Sequence, residues 1–249
     1  MILGLLSKLF GCGDGKPGIF SSNGYHVGAE KVWYKSSTGM SYSVNEVMGA
    51  DPKTFAVREF SSKISGETMD FGVSSNRIFW AVWTIEGADL ASFEYLGSSY
   101  SKDKNAVYYM ADRLTEDIAH FAMVSRQFVK DSKYVYFGRD VFSEDPAHFT
   151  RVGEEASNFY RDSQKCWYDI YEIKDADPNT FRYLGPKTAT DATRVYHEMN
   201  EVEGAELKTY QILALDYAKD AHSVYRHGQR HETADPTTFK VLDEDYSLG

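Results

Sequence analysis

A pair of residues, one apolar or cysteine and one aromatic, recurs along the chain at nearly constant spacing. After the second copy the steps between pairs are 29, 28, 31, 29 and 29 residues, and a longer step of 46 residues separates the first two copies. The seven pairs are Val32-Trp33, Ile78-Phe79, Val107-Tyr108, Val135-Tyr136, Cys166-Trp167, Val195-Tyr196 and Val224-Tyr225. A period of this length is typical of proteins built from stacked units, each too small to bury its apolar face alone.

A second motif, related to Asp-Pro-x-Thr-Phe, alternates with the first. From the second copy onwards, its final aromatic residue follows the apolar residue of the pair by 14 or 15 positions. Those aromatic residues are Phe55, Phe93, Phe121, Phe149, Phe181, Tyr210 and Phe239. Aspartate is a good N-cap and proline suits the first helical position. The apolar pattern ends soon after the aromatic residue, so the motif predicts a single helical turn.

The other half of each unit has the pattern of a β-hairpin. In residues 93–114, FEYLGSSYSKDKNAVYYMADRL, apolar and aromatic residues alternate on both sides of a Lys-Asp-x-x turn. Successive strand residues point to opposite faces, so Val107 and Tyr108 cover both faces of their strand. We therefore predict an all-β repeat protein of about seven hairpin-plus-helical-turn units of ~29 residues, stacked as a solenoid-like array. A closed, propeller-like ring is the alternative.

The predicted organisation is an N-terminal cap helix with a Gly-rich connector at residues 1–24 and a single repeat domain at residues 25–249. The seven units are centred on Val32/Phe55, Ile78/Phe93, Val107/Phe121, Val135/Phe149, Cys166/Phe181, Val195/Tyr210 and Val224/Phe239. The N-terminal stretch MILGLLSKLFGC also resembles an export signal that ends in a lipidated Cys12. It lacks a basic leading region, and Lys8 interrupts its apolar run. We predict a cytoplasmic protein, with anchoring to the cell envelope through Cys12 as the alternative.

The stretch Asp103-Lys104-Asn105-Ala106-Val107-Tyr108-Tyr109, together with the recurring Asp-Pro-x-Thr-Phe motif, resembles the bacterial DKNYY repeat family. The resemblance covers roughly residues 25–245, and the first two units depart most from the pattern. It implies a bacterial source and a repeat architecture. It implies no activity, and it supplies no catalytic residues to carry over.

Composition excludes several kinds of partner. The chain of 249 residues carries 37 acidic and 27 basic residues, a formal net charge of −10, without a basic run. This balance argues against binding to a phosphate backbone, so we predict no nucleic-acid partner. No stretch approaches the roughly 18 apolar residues of a membrane-spanning helix. Cys12 and Cys166 are too far apart in sequence for a metal or redox motif.

Candidate chemical groups are few. His227 and His231, with Glu232 beside them, have the His-x-x-x-His spacing that places two imidazoles on one helix face. Gly228 disfavours a helix there, and no third ligand has a supporting spacing, so we predict no metal and no cofactor. No Gly-x-Ser-x-Gly elbow is present. We predict a protein without catalytic residues, and an uncharacterised enzyme remains the third alternative.

A repeat stack with a negative charge and many tyrosines favours recognition of another protein. We expect an immunity or antitoxin protein that neutralises a secreted, basic toxin by direct binding. The alternative is an envelope-associated lipoprotein that binds surface proteins or glycans. The candidate partner-binding residues are acidic clusters next to predicted turns: Glu154, Glu155, Asp243, Glu244 and Asp245.

Overall fold

The computed structural model describes residues 22–38, 41–213 and 216–241. Those residues form 27 β-strands in seven antiparallel sheets, and one 3₁₀ turn at Ile118–His120. The prediction of an all-β repeat protein is thereby confirmed. The predicted cap at residues 1–24 lies outside the described residues except for its last three positions, and Cys12 and the Asp243–Asp245 cluster lie outside them entirely.

The described chain divides into two compact units, with the boundary between Ile118 and Ala119. The first compact unit contains a three-stranded sheet and two four-stranded sheets, and the second contains four four-stranded sheets. In every sheet the strands follow one another in chain order, as a meander. The prediction that residues 25–249 form a single domain stays a prediction.

The strands of the first compact unit make three sheets. The first sheet has β1 (Gly24–Val27), β2 (Val32–Thr38) and β3 (Ser41–Glu46). The second sheet has β4 (Ala56–Ser61), β5 (Thr68–Ser74), β6 (Arg77–Trp80) and β7 (Trp83–Thr84). The third sheet has β8 (Glu94–Gly97), β9 (Tyr100–Lys102), β10 (Val107–Tyr109) and β11 (Asp112–Thr115).

The strands of the second compact unit make four sheets. The fourth sheet has β12 (Ala122–Met123), β13 (Phe128–Lys130), β14 (Val135–Phe137) and β15 (Asp140–Ser143). The fifth has β16 (Thr150–Arg151), β17 (Phe159–Arg161), β18 (Cys166–Tyr168) and β19 (Tyr171–Glu172). The sixth has β20 (Arg182–Gly185), β21 (Thr188–Thr190), β22 (Val195–His197) and β23 (Asn200–Glu201). The seventh has β24 (Gln211–Ile212), β25 (Tyr217–Lys219), β26 (Val224–Arg226) and β27 (Gln229–Arg230).

The predicted hairpin forms the two central strands of each four-stranded sheet. In the third sheet β9 pairs with β10 through Tyr109↔Tyr100 and Val107↔Lys102. The turn between them closes with a 3.0 Å hydrogen bond from Asp103 N to Ala106 O. The sequence did not predict the outer strands, because several of them have only two residues, too few for an alternating pattern.

The helical-turn prediction needs a correction. Of the seven Asp-Pro-x-Thr-Phe positions, only Ile118–His120 forms a 3₁₀ helix, and the others are single hydrogen-bonded turns. Thr180 N, for example, donates to Asp177 O at 3.2 Å, and Asp177 Oδ1 accepts a 3.0 Å bond from Asn179 N. The N-cap role of Asp177 is thus correct. The turn does not propagate because the next strand begins about two residues later.

Each layer of the core combines residues from two consecutive units. Successive strand residues point to opposite faces of the sheet. In each pair the apolar residue therefore faces the following sheet and the aromatic residue faces the preceding sheet. The observed clusters each contain such a combination: Val32 with Phe79, Ile78 with Tyr108, Val135 with Trp167, Cys166 with Tyr196, and Val195 with Tyr225. The motif aromatic residue packs between them, as Phe181 does between Cys166 and Tyr196. Consecutive sheets of each compact unit therefore share one buried layer, as the sequence period predicts.

A buried aspartate begins the turn between the two central strands in five of the six four-stranded sheets, and it does more than reverse the chain. Oδ1 of Asp191 accepts 2.8 Å bonds from the backbone N–H groups of Thr193 and Arg194. Its Oδ2 accepts from the Tyr196 hydroxyl at 2.7 Å and from Asp177 N in the preceding turn at 3.2 Å. One carboxylate thus joins the turn, the strand that follows it and the preceding motif. Asp103 and Asp220 repeat this set of contacts.

Two units replace the aspartate–tyrosine pair, and each keeps part of its hydrogen bonding. In the second sheet Ser74 and Phe79 occupy the two positions, and Ser74 Oγ accepts a 2.9 Å bond from Asp51 N. In the fifth sheet the tyrosine position holds Trp167, which has no hydroxyl. There the hydroxyl of Ser143 donates to Asp162 Oδ2 at 2.7 Å. Wherever a buried carboxylate begins the turn, a buried hydroxyl group therefore accompanies it.

Cys166 is buried in a core layer, as its place in the repeat predicts, and burial raises the pKa of its thiol to about 12. The thiol is therefore protonated and unreactive at neutral pH. Within the described residues no helix is long and apolar enough to cross a membrane.

Candidate functional site

One end of each four-stranded sheet carries two turns, one between the first two strands and one between the last two. A backbone hydrogen bond joins the two turns, as from Asp169 N to Asn158 O at 2.7 Å and from Glu198 N to Lys187 O at 2.6 Å. We call this end the turn edge. In the second compact unit it comprises residues 124–127, 138–139, 152–158, 169–170, 186–187, 198–199, 213, 216 and 227–228.

The first residue of the second turn has the same unusual backbone conformation in every four-stranded sheet. The φ angles are 52° at Ala81, 54° at Met110, 62° at Gly138, 57° at Asp169, 52° at Glu198 and 49° at His227. This left-handed region costs a residue with a side chain about 1–2 kcal/mol, and glycine avoids the cost. Only one of the six positions is glycine, so five side chains of differing chemistry are displayed on one repeated backbone.

Apolar side chains on and beside the turn edge of the fourth to sixth sheets lie open to solvent. Phe137 and Ile170 are each 38% exposed, Tyr171 is 53% exposed and Met199 is 37% exposed. Phe137 packs against the core residue Phe128, whereas Ile170, Tyr171 and Met199 belong to none of the core clusters of the described residues.

Glu154 and Glu155 lie on the turn edge of the fifth sheet, in the long turn between β16 and β17, and both are exposed. Their backbone carbonyls hold the turn: Glu154 O accepts from Ser157 N at 2.9 Å, and Glu155 O accepts from the Arg151 guanidinium at 2.7 Å. Burial and the nearby Glu154 carboxylate raise the pKa of Tyr183 in the neighbouring strand β20. The two carboxylates thus have no part in the core. The other predicted cluster, Asp243, Glu244 and Asp245, lies outside the described residues.

The turn edges of consecutive sheets in the second compact unit lie side by side. The ring of Tyr183 packs against Gly153, where an added Cβ would lie 2.5 Å from the ring. Lys187 bridges the sixth and seventh sheets, with its Nζ 3.7 Å from Glu198 Oε1 and 3.5 Å from Asp216 Oδ1. The turn edges of the fifth to seventh sheets therefore form one strip, on which exposed apolar and acidic side chains both occur.

The histidine pair predicted from spacing is not the one that the fold brings together. His227 lies on the turn edge of the seventh sheet, where it meets Asp216 of the same sheet and His197 of the sixth. His227 Nδ1 is 3.3 Å from Asp216 Oδ2, and the rings of His197 and His227 are 6.4 Å apart. Burial lowers the pKa of His197, although the carboxylates of Glu198 and Asp216 act in the opposite direction. His231 lies beyond β27 and belongs to no such cluster among the described residues.

Sequence reasoning missed Lys187, His197 and Asp216 because their partners are 11 to 30 residues away, in other turns. One pattern pointed to this place. The residue after each apolar-aromatic pair is aromatic in the first five units and becomes His197 and Arg226 in the last two. This change places a half-buried imidazole where the earlier units have a ring of Tyr, Trp or Phe.

Comparison with known families identifies the repeat. The sequence profile of the DKNYY family matches the chain twice, over residues 71–196 and 128–248, which together span more than half of it. The chain belongs to the DKNYY family. A search of curated proteins and a search of solved structures returned no match. The first sheet of this DKNYY protein lies before both matched regions, as expected from the long first step of the repeat.

Proposed function

We propose that this DKNYY protein is a non-catalytic binding protein that recognises another protein through the turn edge of its second compact unit. The observation that carries the proposal is the left-handed backbone conformation of the residue that follows the third strand of each four-stranded sheet. The fold keeps Glu198 and His227 there, although glycine would be about 1 kcal/mol more favourable at such a backbone angle, and it keeps Asp169, which tolerates the angle better, at the equivalent position. Retained strain at exposed positions favours a role for the side chains themselves.

The chemistry of the strip suits a protein partner. Exposed aromatic and apolar side chains, such as Tyr171 and Met199, provide area that becomes dry on contact. Glu154 and Glu155 add negative charge to the same edge, which favours orientation and speed of association. Because the scaffold is a series of rigid sheets, little conformational entropy is lost when these groups are covered.

We further propose that the partner is a basic, secreted toxin and that the chain acts as its immunity protein. The support is charge: a formal net charge of −10 on a 249-residue chain attracts a cationic partner over the range of a Debye length. A toxin of this kind must be bound before it acts, so fast association is the property that an acidic binding surface supplies.

The test is co-purification of the full chain with the product of its neighbouring gene, followed by calorimetry with purified components. The double variant Tyr171→Ala/Met199→Ser should weaken binding at least 10-fold, since exposed anchors at the centre of an interface dominate affinity. Met48→Ser is the matched control, because Met48 is an exposed methionine of the first compact unit and should be neutral.

A stable complex with equal affinity in both variants would remove the turn edge from the interface. Failure to capture any partner would count against the immunity role. The mass of the protein from its native source tests the alternative localisation. A mature chain that begins at a lipid-modified Cys12 would place the protein in the envelope. Surface proteins or glycans would then be the candidate partners.

A further inference from the structure

Three side chains with metal-binding atoms converge between the sixth and seventh sheets. One ligand atom from each of His197, Asp216 and His227 lies within 4.8 Å of the other two. His197 ends β22, Asp216 lies in the first turn of the seventh sheet, and His227 opens its second turn. Two imidazoles and a carboxylate are the donor set of many three-ligand zinc sites.

The distances are close to those of a coordinated ion. Bonds of about 2.0–2.1 Å from zinc to nitrogen and oxygen place tetrahedral ligand atoms about 3.3–3.4 Å apart. His227 Nδ1 and Asp216 Oδ2 are already 3.3 Å apart. Because all three ligand atoms lie within 4.8 Å of one another, the remaining separations need to shrink by at most about 1.5 Å. Rotation of the exposed side chains of Asp216 and His227 can supply this change.

The backbone holds the three residues in place. His227 N donates a 2.9 Å hydrogen bond to Asp216 O, which ties the two turns together. Gly228 lies so close to His197 that an added Cβ would be 2.6 Å from the Cβ of the histidine. The backbone of His227 itself is in the left-handed region, at a φ of 49°. The backbone that carries the three ligands is thus closely packed, so that side-chain rotation alone is needed to close the site.

We propose that His197, Asp216 and His227 bind a divalent ion of the first transition series, of which zinc is the typical example. The three ligands leave a fourth tetrahedral position for water or for a group from another molecule. Lys187 lies 3.5 Å from Asp216 Oδ1, so its ammonium weakens the site by repelling the cation and by competing for the carboxylate. Asp216 and His227 lie on the turn edge, but the metal proposal rests on the geometry of the three ligands and not on protein binding.

The test is titration of the full chain, freed of any affinity tag, with zinc by calorimetry. Wild type should bind one zinc ion, and Asp216→Asn or His197→Asn/His227→Asn should bind it at least 10-fold more weakly. The double variant His222→Asn/His231→Asn removes two other exposed histidines and should leave binding unchanged. Cobalt should give the visible absorption of a tetrahedral site in wild type only, and calcium should not compete because it prefers an all-oxygen set.

Lys187→Met provides an opposite prediction. Removal of the ammonium should tighten zinc binding several-fold, whereas adventitious binding to surface histidines would not change. Asp216 and His227 are both exposed, so variants at these positions should fold, and circular dichroism checks this directly. Equal zinc affinity in wild type and in His197→Asn/His227→Asn, or no saturable binding by folded wild type up to millimolar zinc, would overturn the proposal.

Discussion

The hydroxyl of Tyr196 donates a 2.7 Å hydrogen bond to the carboxylate of Asp191, and both residues are buried. The same bond joins Tyr108 to Asp103 at 3.1 Å, Tyr136 to Asp131 at 2.8 Å and Tyr225 to Asp220 at 2.8 Å. The rings of Tyr108, Tyr196 and Tyr225 each lie in the core layer shared with the preceding sheet. The bond therefore couples the position of the turn to the packing of the layer, which explains why aspartate and tyrosine recur together.

A double-mutant cycle should measure this coupling. Tyr196→Phe should lower the free energy of unfolding by about 1–2 kcal/mol, and Asp191→Ser by about 2–3 kcal/mol, since the aspartate also accepts three backbone N–H bonds. The double variant recreates the Ser74–Phe79 combination of the second sheet, so it should cost about 1 kcal/mol less than the sum of the single variants. Tyr171→Phe, at an exposed position, is the control and should be neutral. Strict additivity in denaturant melts would contradict the coupling.

Acid should destabilise the fold through these carboxylates. Burial alone would raise the pKa of Asp191, but hydrogen bonds from Thr193, Tyr196, Arg194 and Asp177 outweigh it and hold the pKa below its ordinary value. A carboxylate whose pKa is lowered by folding contributes stability. This contribution is complete above the unfolded pKa of about 3.9 and is lost as the pH falls through the folded pKa. We therefore expect the free energy of unfolding to decline below about pH 4.

The comparison that isolates this effect is Asp191→Asn, which removes the titrating group. Its free energy of unfolding should be lower than that of wild type at pH 6, and the difference should narrow at pH 3 as the wild-type carboxylate takes up its proton. A constant difference between pH 6 and pH 3 would show that the protonation of Asp191 does not contribute.

Much of the fold was predictable because its core is periodic. The spacing of Val195, Phe181 and their equivalents set the layers, and the alternation of Val107 and Tyr108 set both faces of the strand. The outer strands were not predictable, since their length is set by backbone pairing with the central hairpin rather than by a side-chain pattern. The turn edge was only partly foreseen: Glu154 and Glu155 could be placed on an exposed turn, whereas the meeting of His197 with Asp216 depends on how two sheets stack.

Buried strand aromatics should matter more than the aspartates that cap the motif turns. Tyr136→Ala and Trp167→Ala should each cost about 3–5 kcal/mol, because both side chains are buried. Asp177→Ala and Asp235→Ala should each cost about 0.5–2 kcal/mol through loss of the bonds to Asn179 N and Thr237 N. Thermal or denaturant melts rank the four variants directly, and the reverse order would contradict the assignment of the core.

The Asp145 carboxylate differs from the capping aspartates: it binds Ser163 in a neighbouring turn and the ring of His148, rather than a backbone N–H of its own turn. The Ser163 hydroxyl and, secondarily, His148 hold the pKa of Asp145 at about 2, since both bind its carboxylate. Asp145→Ala therefore loses two bonds from Ser163 in a neighbouring turn as well as the bond to His148. We expect it to cost more than Asp235→Ala within the range of about 0.5–2 kcal/mol, as measured in the same melts.

The left-handed backbone at the first residue of the second turn predicts opposite effects on stability for two substitutions. Met110→Gly should raise the free energy of unfolding by about 1 kcal/mol, because Met110 is exposed and has a φ of 54°. Gly138→Ala should lower it by about 1 kcal/mol for the same reason in the opposite direction. Urea melts of both variants test the pair. If both substitutions are neutral, the backbone strain invoked for the turn edge is absent.

The charge on the turn edge should set the speed of partner binding. In Glu154→Lys/Glu155→Lys we expect slower association with a basic partner, and a weaker dependence of the rate on salt, because long-range attraction is screened over about 8–10 Å at physiological ionic strength.

Glu203→Lys/Glu232→Lys is the matched control: it makes the same change in net charge at exposed residues that follow the last strands of their sheets, away from the turn edge. Asp243→Lys/Asp245→Lys tests the second predicted cluster in the same way. Stopped-flow association at several salt concentrations separates the outcomes, since an equal slowing in all variants would indicate net charge alone, whereas a larger effect at Glu154 and Glu155 would locate the interface on the fifth sheet.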